Sequence, residues 1–241
     1  MATYFISDLH LSPERPEITR GLQRFLEDTA SDATALYILG DFFDAWIGDD
    51  DNSEFASEIK ALLSNIASKG VALFFIRGNR DFMIGEALAN ACNFTLLEDE
   101  TVIELYGKRV LIMHGDTLCT ADLEYQQFRK MVRNPVWQQQ VLALPLTQRR
   151  AMATDLRNHS QSMNAMKAED IMDVTELEVV TLMDEFRVKT LIHGHTHRPN
   201  HHEFTEKGKA HSRWVLGDWH NKAVYVRADE NSLELKEFSI T

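Results

Sequence analysis

Short apolar runs along this chain end repeatedly in a residue that could hold a cation. Ala35 to Leu39 is a run suited to a buried strand; it meets Gly40, and Asp41 follows at once. Thr3 to Ile6 leads into Asp8-Leu9-His10, and Val71 to Ile76 empties into Gly78-Asn79-Arg80-Asp81. Thr101 to Tyr106 and Arg109 to Met113 read as a hairpin turning at Gly107-Lys108, whose second strand ends in His114-Gly115-Asp116. Lys189 to Ile192 runs into His193-Gly194-His195-Thr196-His197. Between these strands, Ile18 to Ala30, Phe55 to Ser68 and Ile84 to Ala91 carry helical periodicity, while Asp49, Asp50 and Asp51 read as a solvated loop and helix start. From Leu123 to about Val180 strand signals stop, leaving helical stretches broken at Pro135 and Pro145. Three alternating runs close the chain: Arg213 to Leu216, Ala223 to Arg227 and Leu233 to Phe238.

Charge sharpens the break at residue 123. The chain has 241 residues and a formal net charge of -12, which argues against nonspecific nucleic-acid binding. Between Tyr125 and Ala168 lie seven basic residues (Arg129, Lys130, Arg133, Arg149, Arg150, Arg157, Lys167) and one acid, Asp155; that segment is +6 and the remainder therefore -18. Two cysteines, Cys92 and Cys119, are too few for a disulfide framework and fit a reducing, cytosolic setting. The first residues, MATYFISDLH, lack the pattern of a signal peptide, and no apolar run approaches the ~20 residues of a membrane span. The expectation is a core of residues 1–122 and 181–241, with an inserted helical segment at 123–180.

The strand ends carry Asp8, His10, Asp41, Asn79, His114, His195 and His197. Each piece alone has an ordinary reading: Gly-Asp is a common turn, Asp-x-His recurs by chance, and a His-x-His pair can simply be exposed. Strands of one sheet deliver their ends to a common rim, so the set can converge. Seven ligands exceed what one tetrahedral zinc uses and suit two metal ions with a shared carboxylate, for which Asp41 is the candidate.

Asp-x-His, Gly-Asp, Gly-Asn, His-Gly-Asp and Gly-His-Thr-His in this order resemble the calcineurin-like metallophosphoesterase family. The resemblance implies an α/β fold, a four-layer α-β-β-α sandwich, and hydrolysis of phosphate esters or anhydrides by two metal ions, with metal-bound hydroxide as the nucleophile. Arg80 departs from the histidine usual after Gly-Asn; a guanidinium can clamp phosphate oxygens but is a poor proton donor, which points to a leaving group needing no proton. The stretches ALYILGD, AWIGDDD, GNRDF, VLIMHGDTLCT, IMDV and LIHGHTHRP are similar to the branch of the family that cleaves UDP-2,3-diacylglucosamine to UMP and 2,3-diacylglucosamine 1-phosphate in lipid A biosynthesis, usually with manganese. This likeness implies Asp8, His10, Asp41 and His197 on one metal, and Asp41, Asn79, His114 and His195 on the other. It implies substrate contacts from Asn79, Arg80, Asp122, Ser160, Asn164, Lys167 and His195, and work at the cytoplasmic face of the inner membrane. Arg77 stands where some relatives have His and is assigned no role.

Arg157, Ser160, Asn164 and Lys167 fall on one helix face, two cations and two hydrogen-bonding groups that suit a sugar and a diphosphate. Val136, Trp137, Val141, Leu142, Leu144 and Leu146 sit among Arg129, Lys130, Arg133, Arg149 and Arg150. That combination fits an anionic membrane surface or an acyl-chain groove, and equally helix–helix packing. A soluble nucleotide pyrophosphatase or phosphodiesterase of the same fold is the alternative; a scaffold without chemistry would have lost ligands.

Overall fold

The computed structural model describes residues 1–29, 32–164, 171, 173–206 and 208–240, with the backbone alone at 29 and 159–164. The chain begins with strand β1 (Ala2–Ile6), helix α1 (Pro16–Arg24) continued by a π-helical turn over Phe25–Thr29, and β2 (Ala33–Leu39). Then come α2 (Glu54–Ser68), β3 (Ala72–Ile76), α3 (Glu86–Cys92) and β4 (Phe94–Leu96). The hairpin β5 (Glu100–Leu105) and β6 (Lys108–Met113) precedes α4 (Leu123–Val132), α5 (Pro135–Leu142), α6 (Leu146–Asn164) and α7 (Glu176–Glu185). The chain closes with β7 (Thr190–His193), β8 (Asn200–Glu206), β9 (Lys209–Val215), β10 (Lys222–Ala228) and β11 (Leu233–Ser239).

Two sheets form, in the orders β11-β10-β1-β2-β3-β4 and β5-β6-β7-β9-β8. Within them β1, β2, β3 and β4 run parallel, as do β6, β7 and β9, so the ends of β1, β2, β3, β6 and β7 bring their loops to one rim. Alternation sends Phe5, Leu39 and Ile76 of one sheet and Ile112, Ile192 and Trp214 of the other into the space between them. The opposite face of the first sheet packs Tyr4, Leu36, Ile38 and Phe75 against Ile18 and Leu22 of α1, Ile59 and Leu63 of α2 and Leu88 of α3. The outer face of the second packs Leu111, Met113 and Leu191 against Val179 and Met183 of α7. The result is a four-layer α-β-β-α sandwich.

Helix starts follow local chemistry. Ser53 accepts the Ala56 N–H, Asp122 accepts that of Tyr125, and Asn134 accepts that of Val136 with Pro135 in the first helical position. Strands β4 and β8 went unread in the sequence: β4 has three residues, and β8, Asn-His-His-Glu-Phe-Thr-Glu, is an edge strand with little apolar content. The boundary expected at residue 180 falls inside α7, whose burial against the second sheet makes it part of the sandwich.

The insertion is tied to the sandwich by its charges. Arg129 meets Asp116 at 2.8 Å and also pairs with Asp99; Arg133 reaches Asp99 at 3.1 Å and the Arg77 carbonyl at 3.0 Å. Arg149, almost fully buried, forks onto Asp50, Arg150 meets Asp51 at 2.8 Å, and Arg157 meets Asp44 at 2.8 Å. The three aspartates do lie in a partly exposed loop that leads into α2, and they also hold neighbours: Asp50 and Asp51 anchor α6, and Asp49 accepts the N–H groups of Gly85 and Leu88 at the start of α3. Five of the seven basic residues of the segment are thus paired with carboxylates of the sandwich. Arg77 serves the backbone, its Nε donating to the Ile84 carbonyl at 2.6 Å.

Candidate metal centre

The loop after β1 runs beside the loop after β2, with Asp8 N–H donating to the Gly40 carbonyl at 3.1 Å and His10 N–H to the Asp41 carbonyl at 3.0 Å. The loop after β3 is laced to the loop after β2 by Asp81, whose carboxylate accepts the Phe42 N–H at 2.8 Å and, within its own loop, the Gly78 N–H at 2.7 Å. Arg80 N–H donates to Asp41 Oδ1 at 2.8 Å. From the second sheet, His114 Nδ1 sits 2.8 Å from the Leu39 carbonyl, and His195 N–H donates to Asp8 Oδ2 at 2.9 Å. Ser7 Oγ donates to the same Asp8 oxygen.

The backbone is strained where these side chains emerge. Among the described residues, eight non-glycine positions have positive φ, and five of them are Asp8, His10, Asp41, His195 and His197. Such conformations cost of order 1 kcal/mol or more each, and clustering at one rim marks a functional site rather than a folding need. Glycines make the close approach possible: a Cβ on Gly78 would lie 2.2 Å from Asp41 Oδ1, and one on Gly194 would lie 2.2 Å from Asp8 Oδ2.

The donor atoms form two touching groups. Asn79 Oδ1 lies 2.8 Å from both His114 Nε2 and His195 Nδ1, which are themselves 3.2 Å apart. On the other side, His10 Nε2 and His197 Nε2 are 3.2 Å apart, and His197 Nε2 is 3.4 Å from Asp8 Oδ1. Asp41 reaches both groups, with Oδ1 3.6 Å from His114 Nε2 and Oδ2 4.0 Å from His10 Nδ1. Asp8 also borders both, since its carboxylate lies within 4.8 Å of the ligand atoms of His10 and His197 and of those of Asp41 and His114. All seven side chains picked out in the sequence therefore meet at one rim.

The donor set fits divalent cations. Among the described residues Asp8 Oδ1 is buried without a hydrogen-bond partner, with the His197 imidazole 3.4 Å away, and a bound cation would satisfy it. His114 turns Nδ1 to the Leu39 carbonyl, which aims its Nε2 at the same point as Asn79 Oδ1 and His195 Nδ1, an arrangement of donor atoms suited to one metal. Carboxylate, amide and imidazole donors accept manganese, iron, zinc or magnesium.

Electrostatics without a cation are correspondingly skewed. Burial pushes the Asp41 carboxyl up to about 7, against the pull of His114 and with the help of Asp81 and Asp8. Burial holds His10 down at about 3, and His195 at about 4 with His114 beside it. Burial acts to lower His197 too, but Asp8 overrides it and raises the imidazole to about 9. Strongly shifted groups gathered in one cleft mark a candidate functional site.

Asn79 and Arg80 are half-buried at the rim, and Asp122 is buried at the start of α4. Arg157 is described through its pair with Asp44, whereas the side chains of Ser160 and Asn164, and all of Lys167, lie outside the described residues. Sequence reading assigned no role to Asp81 and Asp116. A carboxylate directly after Gly-Asn-Arg, at the loop that ends β3, was the available signal for Asp81. Asp116 stands in His-Gly-Asp, but its partners Tyr125 (2.5 Å) and Arg129 come from the insertion.

The sequence profile of calcineurin-like phosphoesterases matches residues 1–199. The chain belongs to the calcineurin-like phosphoesterase family. Relatives within it are close and collinear with this phosphoesterase. The UDP-2,3-diacylglucosamine hydrolase of Cellvibrio japonicus is 51% identical over 240 residues, covering 100% of each chain. The protein of the same name from Salmonella arizonae is 50% identical, again covering 100% of both. Among solved structures, an archaeal phosphodiesterase superposes with a TM-score of 0.53 at 13% identity, covering 99% of each chain, a likeness of fold.

Proposed function

We propose that this phosphoesterase hydrolyses the pyrophosphate bond of UDP-2,3-diacylglucosamine, giving UMP and 2,3-diacylglucosamine 1-phosphate in lipid A biosynthesis. What carries the reading is the end-to-end identity of about half with hydrolases named for that substrate, in a chain whose seven metal-type side chains meet at one rim.

Asp8, His10, Asp41 and His197 would hold one divalent ion and Asp41, Asn79, His114 and His195 the other, with manganese the expected metal. Bound there, the pair would lower the pKa of water and neutralise charge on phosphoryl oxygens. Arg80 places a permanent cation beside Asn79 and supports the charge that builds on the diphosphate without supplying a proton. Asn79 and His195 orient the phosphoryl group from the same rim. Asp122, Ser160, Asn164 and Lys167 would bind the acylated sugar, with Arg157 on the same face of α6. Helices α4 to α6 then form a lid whose inner face selects the substrate, and α7 stays with the sandwich.

Among the described residues no helix is long and apolar enough to cross a membrane. Leu123, Met131, Val136 and Leu142 on α4 and α5 are exposed, an apolar surface suited to acyl chains or to peripheral contact with the inner membrane. A soluble nucleotide as substrate would give that surface no task. Hydrolysis of UDP-2,3-diacylglucosamine compared with unacylated UDP-sugars tests the assignment; equal rates would overturn it. Mass analysis of products formed in oxygen-18 water reports which phosphorus takes the hydroxyl.

A further inference from the structure

A cavity of about 280 Å³ opens beside the centre, lined by Thr196, Arg198, Asn200, His202, Arg213 and Asp173, with Pro199 and Val215 completing its wall. Thr196 stands between His195 and His197, so the cavity begins one residue from two side chains of the rim. Cross-strand pairing sets His202 of β8 opposite Arg213 of β9, on the sheet face away from the apolar layer that receives Trp214. The lining holds two guanidiniums and an imidazole against one carboxylate, Asp173, in a chain whose net charge is -12. Arg198 is paired with that carboxylate. Arg213 is desolvated enough that burial lowers its pKa, and Nη1 contacts His193 Nε2 at 3.2 Å. A guanidinium has five N–H donors, and a half-buried one held by a neutral imidazole is suited to an anion.

The position matters as much as the charge. The face of α6 that carries Arg157 approaches the centre from the first sheet, where Arg157 meets Asp44. The cavity lies on the other flank, against β8 and β9 of the second sheet. A diphosphate stretched across the rim sends its two substituents to opposite flanks. If the acylated sugar lies along α6, the nucleoside half faces this cavity, whose size is near the lower end for small-ligand pockets.

We propose that the cavity is the subsite for the nucleoside monophosphate half of the substrate. Arg198 and Arg213 face its anionic oxygens, and Asn200 and Asp173 offer an amide and a carboxylate to ribose hydroxyls or a pyrimidine edge. The assignment rests on the substrate being a UDP-linked sugar, and it adds residues that lie outside the metal centre and the insertion's substrate face.

Calorimetric titration of the full-length, metal-loaded protein with UMP, uridine and inorganic phosphate tests it. Arg213→Met and Asn200→Asp are each expected to weaken UMP about tenfold or more, while inorganic phosphate, held at the metals, keeps its affinity. Asn200 is exposed, so its variant keeps the fold, and thermal melting verifies this for both. Wild-type affinity for UMP in both folded variants would overturn the subsite, as would equal weakening of UMP and phosphate, which would mean general loss of charge. Lipid hydrolysis measured on the same preparations separates the two levels. A wild-type protein inactive on UDP-2,3-diacylglucosamine would sink the substrate reading, whereas normal hydrolysis with unaltered UMP binding would sink the subsite alone.

Discussion

Arg129 Nε donates to Asp116 Oδ2 at 2.8 Å, joining the first helix of the insertion to a carboxylate two residues past His114. Asp116 is buried and Arg129 nearly so, and burial, which would raise the carboxyl, is outweighed by His114 and Arg129, which hold it below the usual range. Arg129→Met should cost about 3 kcal/mol, because it leaves a buried charge uncompensated. Adding Asp116→Asn should recover part of that loss. Urea unfolding of the single and double variants is the check, and a double variant less stable than either single one would contradict the ion-pair account.

Asp41→Ala removes the carboxylate that reaches both halves of the centre, and His114→Ala removes a donor of one half. Both should abolish turnover and lower bound metal while leaving a folded protein, as read by elemental analysis and circular dichroism. Full activity of either variant in chelating buffer would remove the metals from the mechanism. Lys167→Ala should instead raise KM with a smaller change in kcat.

Gly78→Ala would drive a methyl group into Asp41, whose Oδ1 and N would lie 2.2 and 2.3 Å from it. Activity should fall by about two orders of magnitude, the scale expected when a reacting geometry shifts by an ångström. Gly70→Ala meets nothing within 4 Å but sits at φ 90° and should cost stability alone. Kinetics and melting of the pair distinguish displacement of Asp41 from a general backbone effect.

Tyr4 O–H donates to Asp32 at 2.6 Å, and burial with that bond raises its pKa from 10.0 to about 12. The folded protein therefore holds this proton more tightly than the unfolded chain. Its contribution to stability is complete below about pH 10 and is lost as pH rises toward 12. The stability difference between wild type and Tyr4→Phe should shrink over that window in urea titrations, and a difference independent of pH would refute the linkage.

Vesicle binding should depend on apolar residues more than on charge, since most cations of the insertion are already paired. Val136→Glu or Leu142→Glu should release the protein from anionic vesicles more than a rise in salt does. Sedimentation across a salt series decides; binding abolished by salt and indifferent to these variants would return the role to charge.

The sequence by itself determined the elements that obey a local rule. Short continuous apolar runs became β1, β2, β3, β6 and β7, and Gly-Asp, Gly-Asn and Gly-His-Thr-His marked where those strands stop, because ligand residue types and tight turns are written in adjacent letters. β8 lacks an apolar period and β4 lacks length, so neither could be read. Only the tertiary structure decided that Asp81 laces two loops together, and that Asp50, Asp51, Asp99 and Asp116 anchor the basic insertion. Those are pairings of charge and hydrogen bond across tens of residues of chain, and which partner neutralises a given arginine is settled by proximity in the folded state, which no local pattern records.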